Sequence, residues 1–94
     1  MNVGLATLRF RLHSVESIKE KRSIVKRILA DVRRRGAAFA VCETDDHNDL
    51  RRLTIRVAHL SNDSRFTESV LAKLQAELGR GNGYEMSESQ VEIL

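Results

Sequence analysis

Two stretches of this chain, residues 2 to 12 and 50 to 60, alternate apolar and polar side chains with a period of two, and each is followed by a stretch with helical period. A chain patterned this way makes two strand-helix modules that bury one face each, so its elements must close on one another as layers. In the first stretch Gly4, Ala6, Leu8, Phe10 and Leu12 fall on one side, and Val3, Leu5, Thr7, Arg9 and Arg11 on the other. Ser17-Ile18-Lys19-Glu20 then reads as a capping box, in which hydroxyl and carboxylate satisfy free N–H groups at a helix start. Ile18, Val25, Leu29 and Val32, flanked by Ile24 and Ile28, follow at helical spacing, and Gly36 is expected to end the helix as a left-handed cap.

The second half repeats the plan. Residues 37 to 43 read as a short strand and Glu43 to Asp49 as an acidic loop. Residues 50 to 60 form a strand with Leu53, Ile55 and Val57 inward and Arg52, Thr54 and Arg56 outward. Ser61-Asn62-Asp63-Ser64 offers several N-caps for a second helix. Its expected apolar stripe is Phe66, Val70, Leu74 and Leu78, with Leu71 at the border, and it ends in the glycine-rich segment 79 to 83. A last strand is expected over about residues 87 to 94, with Val91 and Ile93 inward and Glu88 and Glu92 outward. The order β-α-β-β-α-β predicts one α+β domain over residues 1 to 94. Its fold class is a ferredoxin-like split βαβ sandwich, a four-stranded antiparallel sheet with two helices on one face.

Composition narrows the function classes. No apolar run approaches the ~20 residues of a membrane helix, so no membrane partner is expected, and 94 residues suffice for one two-layer core. The first residues carry no basic, then apolar, pattern of a secretory signal. With Cys42 alone an internal disulfide is impossible, and a reducing, cytoplasmic location is expected. The net charge of +3 hides an uneven distribution. Between residues 19 and 35 stand Lys19, Lys21, Arg22, Lys26, Arg27, Arg33, Arg34 and Arg35, against Glu20 and Asp31 alone. A segment of this kind is the electrostatic footprint of a polyanion partner, and reads equally as a solvated helix face.

At about 100° per residue, Lys19, Arg22, Lys26 and Arg33 share a sector of roughly 60° beside the apolar stripe. Cations spaced along a helix can neutralise successive phosphates. Lys21 falls at the edge of the apolar arc, where it joins the phosphate contacts or lays its stem along the core. A second patch, Arg9, Arg11, Arg52 and Arg56, projects from neighbouring strands on the face without helices, with Glu88 and Glu92 as an internal answer. That face carries no outward aromatic on which bases could stack. Outward Val3 and Leu5 make a modest apolar patch suited to a second copy of the chain.

Other chemistry is weaker. Asp45, Asp46, His47 and Asp49 match neither a zinc pattern nor a calcium loop, and turn chemistry accounts for them. Cys42 has no partner set by spacing that would activate it, and His59 reads as a satisfied structural histidine. The sequence assigns no catalytic residue, metal ligand or cofactor.

The pattern Val3-Gly4, Ser17-Ile18-Lys19-Glu20-Lys21-Arg22-Ser23, Asp45-Asp46-His47 and Ser61-Asn62-Asp63 resembles the YlxP-like family of small bacterial proteins of unknown function. The resemblance covers essentially the whole chain. It implies a ferredoxin-like fold and, since relatives are typically encoded beside transcription and translation factors, a role around RNA or the ribosome. Many relatives place Trp near the start of the third strand, where this chain has Leu50.

The resulting expectation is a non-enzymatic RNA- or ribonucleoprotein-binding accessory factor whose partner is RNA or a ribosomal particle. It would contact phosphates through Lys19, Lys21, Arg22, Lys26 and Arg33, with Arg9, Arg11, Arg52 and Arg56 as a second surface. The alternative is a homodimeric regulatory or scaffold module without nucleic-acid binding.

Overall fold

The computed structural model describes the backbone of residues 1–94 and every side chain but that of Arg80. The elements are β1 (Asn2–Leu12), α1 (Ile18–Arg33), β2 (Phe39–Glu43), β3 (Arg52–Ser61), α2 (Ser64–Leu78), β4 (Arg80–Gly81) and β5 (Tyr84–Ile93). The sheet runs β2-β3-β1-β5-β4, antiparallel throughout. Apart from the two-residue β4, this is the ferredoxin-like arrangement, four strands with both helices on one face.

Alternation in β1 and β3 produces the core directly. Ala6, Leu8 and Phe10 of β1 and Leu53, Ile55 and Val57 of β3 are almost entirely buried, against Ile28 and Val32 of α1 and Leu71, Leu74 and Leu78 of α2. The helix α2 can approach β1 closely because residue 4 has no side chain. A Cβ on Gly4 would lie 2.4 Å from Thr67 Cγ2 and 2.7 Å from Leu71 Cδ1. Gly4→Ala is therefore expected to cost about 1–3 kcal/mol through overpacking, read as a lower denaturation midpoint. An unchanged midpoint would mean that α2 shifts freely on the sheet.

Several boundaries differ from the sequence reading. The capping box is half formed: Ser17 Oγ accepts from the Glu20 N–H at 3.1 Å, but the Glu20 carboxylate accepts from the Glu16 N–H at 3.2 Å. The helix α1 closes at Arg33 with Arg34 as a right-handed cap. The Arg35 N–H reaches back three residues to Val32 O, a tightened last turn. Gly36, at φ +145°, lies outside the left-handed helical region expected of a cap. The strands β2 and β3 each begin two residues later than expected, and β5 three earlier, because it makes a hairpin with β4 through Gly83 at φ +90°.

The α2 stripe is rotated from the expected one. Thr67, Leu71, Leu74 and Leu78 are buried, whereas Phe66 is 55% exposed. A polar chain holds Thr67 inward, its hydroxyl 3.1 Å from His59 Nδ1 and 2.6 Å from Ser61 Oγ. His59 is thereby a buried, hydrogen-bonded structural residue. Val91 faces the helix side, opposite Ala6, yet is 39% exposed. Thr54, expected outward, does share the open face with its partner Arg9 but is buried there because the loop after β2 folds over it: its hydroxyl donates to Asp46 Oδ2 at 3.3 Å.

Candidate nucleic-acid interface

Helix α1 presents its polar side with Lys19, Arg22, Lys26 and Arg33 all exposed. Among the described residues none of the four makes an ion pair or side-chain hydrogen bond, and the reason lies in where the neighbouring acids go. Glu20 is used at the helix start. Asp31 lies 3.4 Å from both Arg34 and Arg35, and Arg35 also meets Glu77 at 2.5 Å. Burial pushes the Arg35 guanidinium pKa down, but hydrogen bonds and attraction from Glu77 and Asp31 outweigh it and hold the pKa above its ordinary value. Arg35 is thus a neutralised structural cation. Arg27 donates to Asn82 O at 3.4 Å. The cations left unanswered on α1 are the four that the helical geometry gathers into one stripe.

Lys21 does not belong to that surface, which corrects its assignment as a phosphate contact. Its side chain is 1% exposed, and Nζ donates to the carbonyl oxygen of Asp46 and lies 3.8 Å from Glu43 Oε2. The latter distance is too long for a hydrogen bond, so the pair is held by charge alone and Glu43 Oε2 has no hydrogen-bond partner. Lys21 on one side and Thr54 on the other grip Asp46, which takes the left-handed conformation at φ +59°. His47 closes the loop, with Nδ1 3.1 Å from Glu43 Oε1 and Nε2 2.9 Å from Thr44 O.

The second group lies on the opposite face of the sheet, so the nine residues singled out from sequence do not gather in one site. Arg9 is 3.4 Å from Glu88 on β5, the internal answer expected for this face. Arg11 stands directly opposite Arg52 across the β1–β3 ladder, and both are exposed. Arg56, also exposed, faces Thr7 and Cys42. A bulge between Arg9 and Phe10 shifts the β5 register here, and the Ser87 hydroxyl donates to Arg9 O at 3.2 Å. Beside the bulge a cleft of about 790 Å³ opens, lined by Arg9, Arg11, Arg51 and Arg52 and also by the acids Asp46 and Glu88. Arg51 was not legible as a site residue, because a strand beginning at residue 50 would turn it inward. With β3 starting at Arg52 it lies on the rim, exposed.

The open face divides along its length. Beyond Thr7 the rows are apolar on β1, β3 and β2, where Leu5 pairs with Ala58, which pairs with Ala40, and Val3 pairs with Leu60, 47% exposed, while exposed Glu92 of β5 stands beside Leu5 on the other side. Cys42 is an exposed free thiol on this face. Among the described residues no three His, Cys, Asp or Glu side chains converge in a metal-binding arrangement. No helix is long and apolar enough to cross a membrane.

A family model for a protein of unknown function, DUF503, matches residues 3–91. The chain belongs to the DUF503 family. At that level the match agrees with the resemblance to a family of unknown function seen in the sequence. No curated protein matches the chain. Among solved structures it is similar to the de novo designed protein Foldit4, at 17% identity and TM-score 0.56 over 100% of this chain and 97% of that one. A de novo designed protein with ferredoxin fold, LFR1 1, aligns at 12% identity and TM-score 0.48 over 100% of this chain and 83% of that one. A dimeric ferredoxin-like protein from an uncultured marine organism aligns at 9% identity and TM-score 0.47, over 100% and 94%. What this DUF503 chain shares with Foldit4 is the fold alone, so a functional reading must come from its own side chains.

Proposed function

We propose that this DUF503 protein is a non-enzymatic RNA- or ribonucleoprotein-binding accessory factor of translation, acting in the cytoplasm and holding phosphates on α1. One observation carries the reading: Lys19, Arg22, Lys26 and Arg33 form an exposed stripe while the two acids within α1, Glu20 and Asp31, are engaged elsewhere. Lys19 and Arg22, close to the helix start, also oppose the dipole, which disfavours them as purely structural choices. The link to translation rests on the resemblance to YlxP-like proteins. The sheet face, lacking aromatics, supports contact with the phosphate backbone rather than reading of bases.

Four phosphate contacts give a slope of about −3 in log affinity against log salt, a loss of roughly 50- to 150-fold between about 50 and 200 mM. Titrating nuclease-treated protein against labelled structured RNA, single-stranded RNA and duplex DNA at the two salts tests this. Salt-sensitive binding with a preference for structured RNA is expected, and no binding to any of the three at low salt would overturn the reading. A second reading, a homodimer without RNA affinity, is favoured by the apolar half of the open face around Val3, Leu5 and Leu60. It requires a dimeric mass in solution together with a null titration.

A further inference from the structure

We infer that the cleft at the basic half of the open sheet face is a binding site for a phosphate monoester, with Arg11 and Arg52 as its principal ligands and Arg51 on its rim. The inference rests on the RNA reading only where the phosphate is the 5′ end of a strand; a free phosphorylated small molecule offers the same group.

The starting point is an electrostatic conflict. Arg11 and Arg52 are direct cross-strand partners. Side chains so paired leave the backbone about 5 Å apart, and like charges there are destabilising unless an anion answers them. The nearby acids make their contacts elsewhere: Glu88 lies 3.4 Å from Arg9, Glu85, which is Arg11's partner on the β5 side of the ladder, turns to His13 at 3.5 Å, and the Asp46 carboxylate accepts from the Thr54 hydroxyl at 3.3 Å. Asp49 accepts from the Arg51 backbone N–H at 2.8 Å. Arg11, Arg51 and Arg52 are exposed and, among the described residues, without an ion pair.

The shape suits a small ligand better than a passing strand. At about 790 Å³ the cleft falls within the size of small-molecule sites, roughly 300–1,000 Å³. Its walls include half-buried Val15 and Leu50, which can receive the apolar part of a ligand. Ser14 sits on the lining at φ +58°, the kind of local strain that collects at sites. A monoester carries nearly two charges and three free oxygens, and an internal diester carries one charge and two. Planar guanidiniums bind such oxygens in bidentate fashion. Three unanswered guanidiniums therefore favour the terminal group.

The test compares the parent with the double variant Arg11→Gln, Arg52→Gln. In phosphate-free buffer the variant should melt at or above the parent, since an opposed like-charge pair is gone. Inorganic phosphate and adenosine monophosphate should raise the melting temperature of the parent alone, with adenosine as the uncharged control. In parallel, a 5′-phosphorylated oligoribonucleotide should bind the parent about tenfold more tightly than its 5′-hydroxyl counterpart, and the variant should bring that ratio to about one. Stabilisation by the mononucleotide without a preference between strands assigns a free small molecule as the ligand, and the strand preference assigns an RNA end. If both strands bind equally in a salt-dependent way and neither phosphate compound shifts the parent's melting, the cleft assignment falls and the RNA reading stands. If the mononucleotide stabilises the parent and no RNA binds, the RNA reading falls and the cleft remains.

Discussion

Lys21→Met is expected to destabilise the domain by about 2–4 kcal/mol, whereas Lys19→Met, two residues earlier and exposed, should change stability by less than about 0.5 kcal/mol. Methionine keeps the apolar stem of Lys21 but removes three donors and a charge. Two acceptors are then left without their partner: the Asp46 carbonyl, which receives Nζ, and the Glu43 carboxylate, whose Oε2 already lacks a hydrogen bond and is held only by the lysine charge. Glu43 keeps His47 on its other oxygen, and its side chain is 18% exposed, which sets the loss below that of a fully enclosed pair. Urea denaturation of the single variants and of Lys21→Met with Glu43→Gln completes the test. Neutralising Glu43 should recover part of the loss, so the two changes together should cost less than their separate sum. Equal losses for Lys21→Met and Lys19→Met would place the lysine in solvent and return it to the basic surface.

That lysine also shows how far the sequence was legible. Centring the apolar stripe on Ile18, Val25, Leu29 and Val32 leaves residue 21 at its edge, but the buried arc is Ile24, Val25, Ile28 and Val32, and Lys21 stands in its middle. What periodicity does not encode is the path of the loop after β2, which delivers the Asp46 carbonyl to Nζ and covers Thr54. The strands and helices were readable because burial of one face leaves a period in the sequence. The roll of α2 was not, since an apolar count prefers Phe66 to Thr67, while the structure favours Thr67 through the hydroxyl of Ser61 and the ring of His59. The sheet arginines were legible as a group facing away from the helices. Their arrangement was not, because the Arg11–Arg52 pairing depends on the β1–β3 register, and the cleft beside it on a bulge and an irregular loop.

Reversing the charge of the α1 stripe, through Lys19→Glu, Arg22→Glu and Lys26→Glu together, is expected to reduce RNA affinity on the order of a hundredfold or more at low salt. Each lost phosphate contact removes just under one from the salt slope, so a slope of about −3 should flatten to about −1. The loss should be nearly the same for RNAs of different sequence, because contacts to phosphate carry no base identity. Stability should hold or rise. All three side chains are exposed, and carboxylates near the start of α1 complement the helix dipole that the native cations oppose, an effect of about 0.3–1 kcal/mol. Arg34→Gln is the internal control, since Arg34 already lies 3.4 Å from Asp31 and has less charge to offer a ligand. A folded triple variant that binds RNA with the parental slope would remove α1 from the interface and leave the sheet arginines as the phosphate contacts. The parental slope persisting only until Arg11 and Arg52 are also replaced would locate the whole polyanion surface on the face opposite α1.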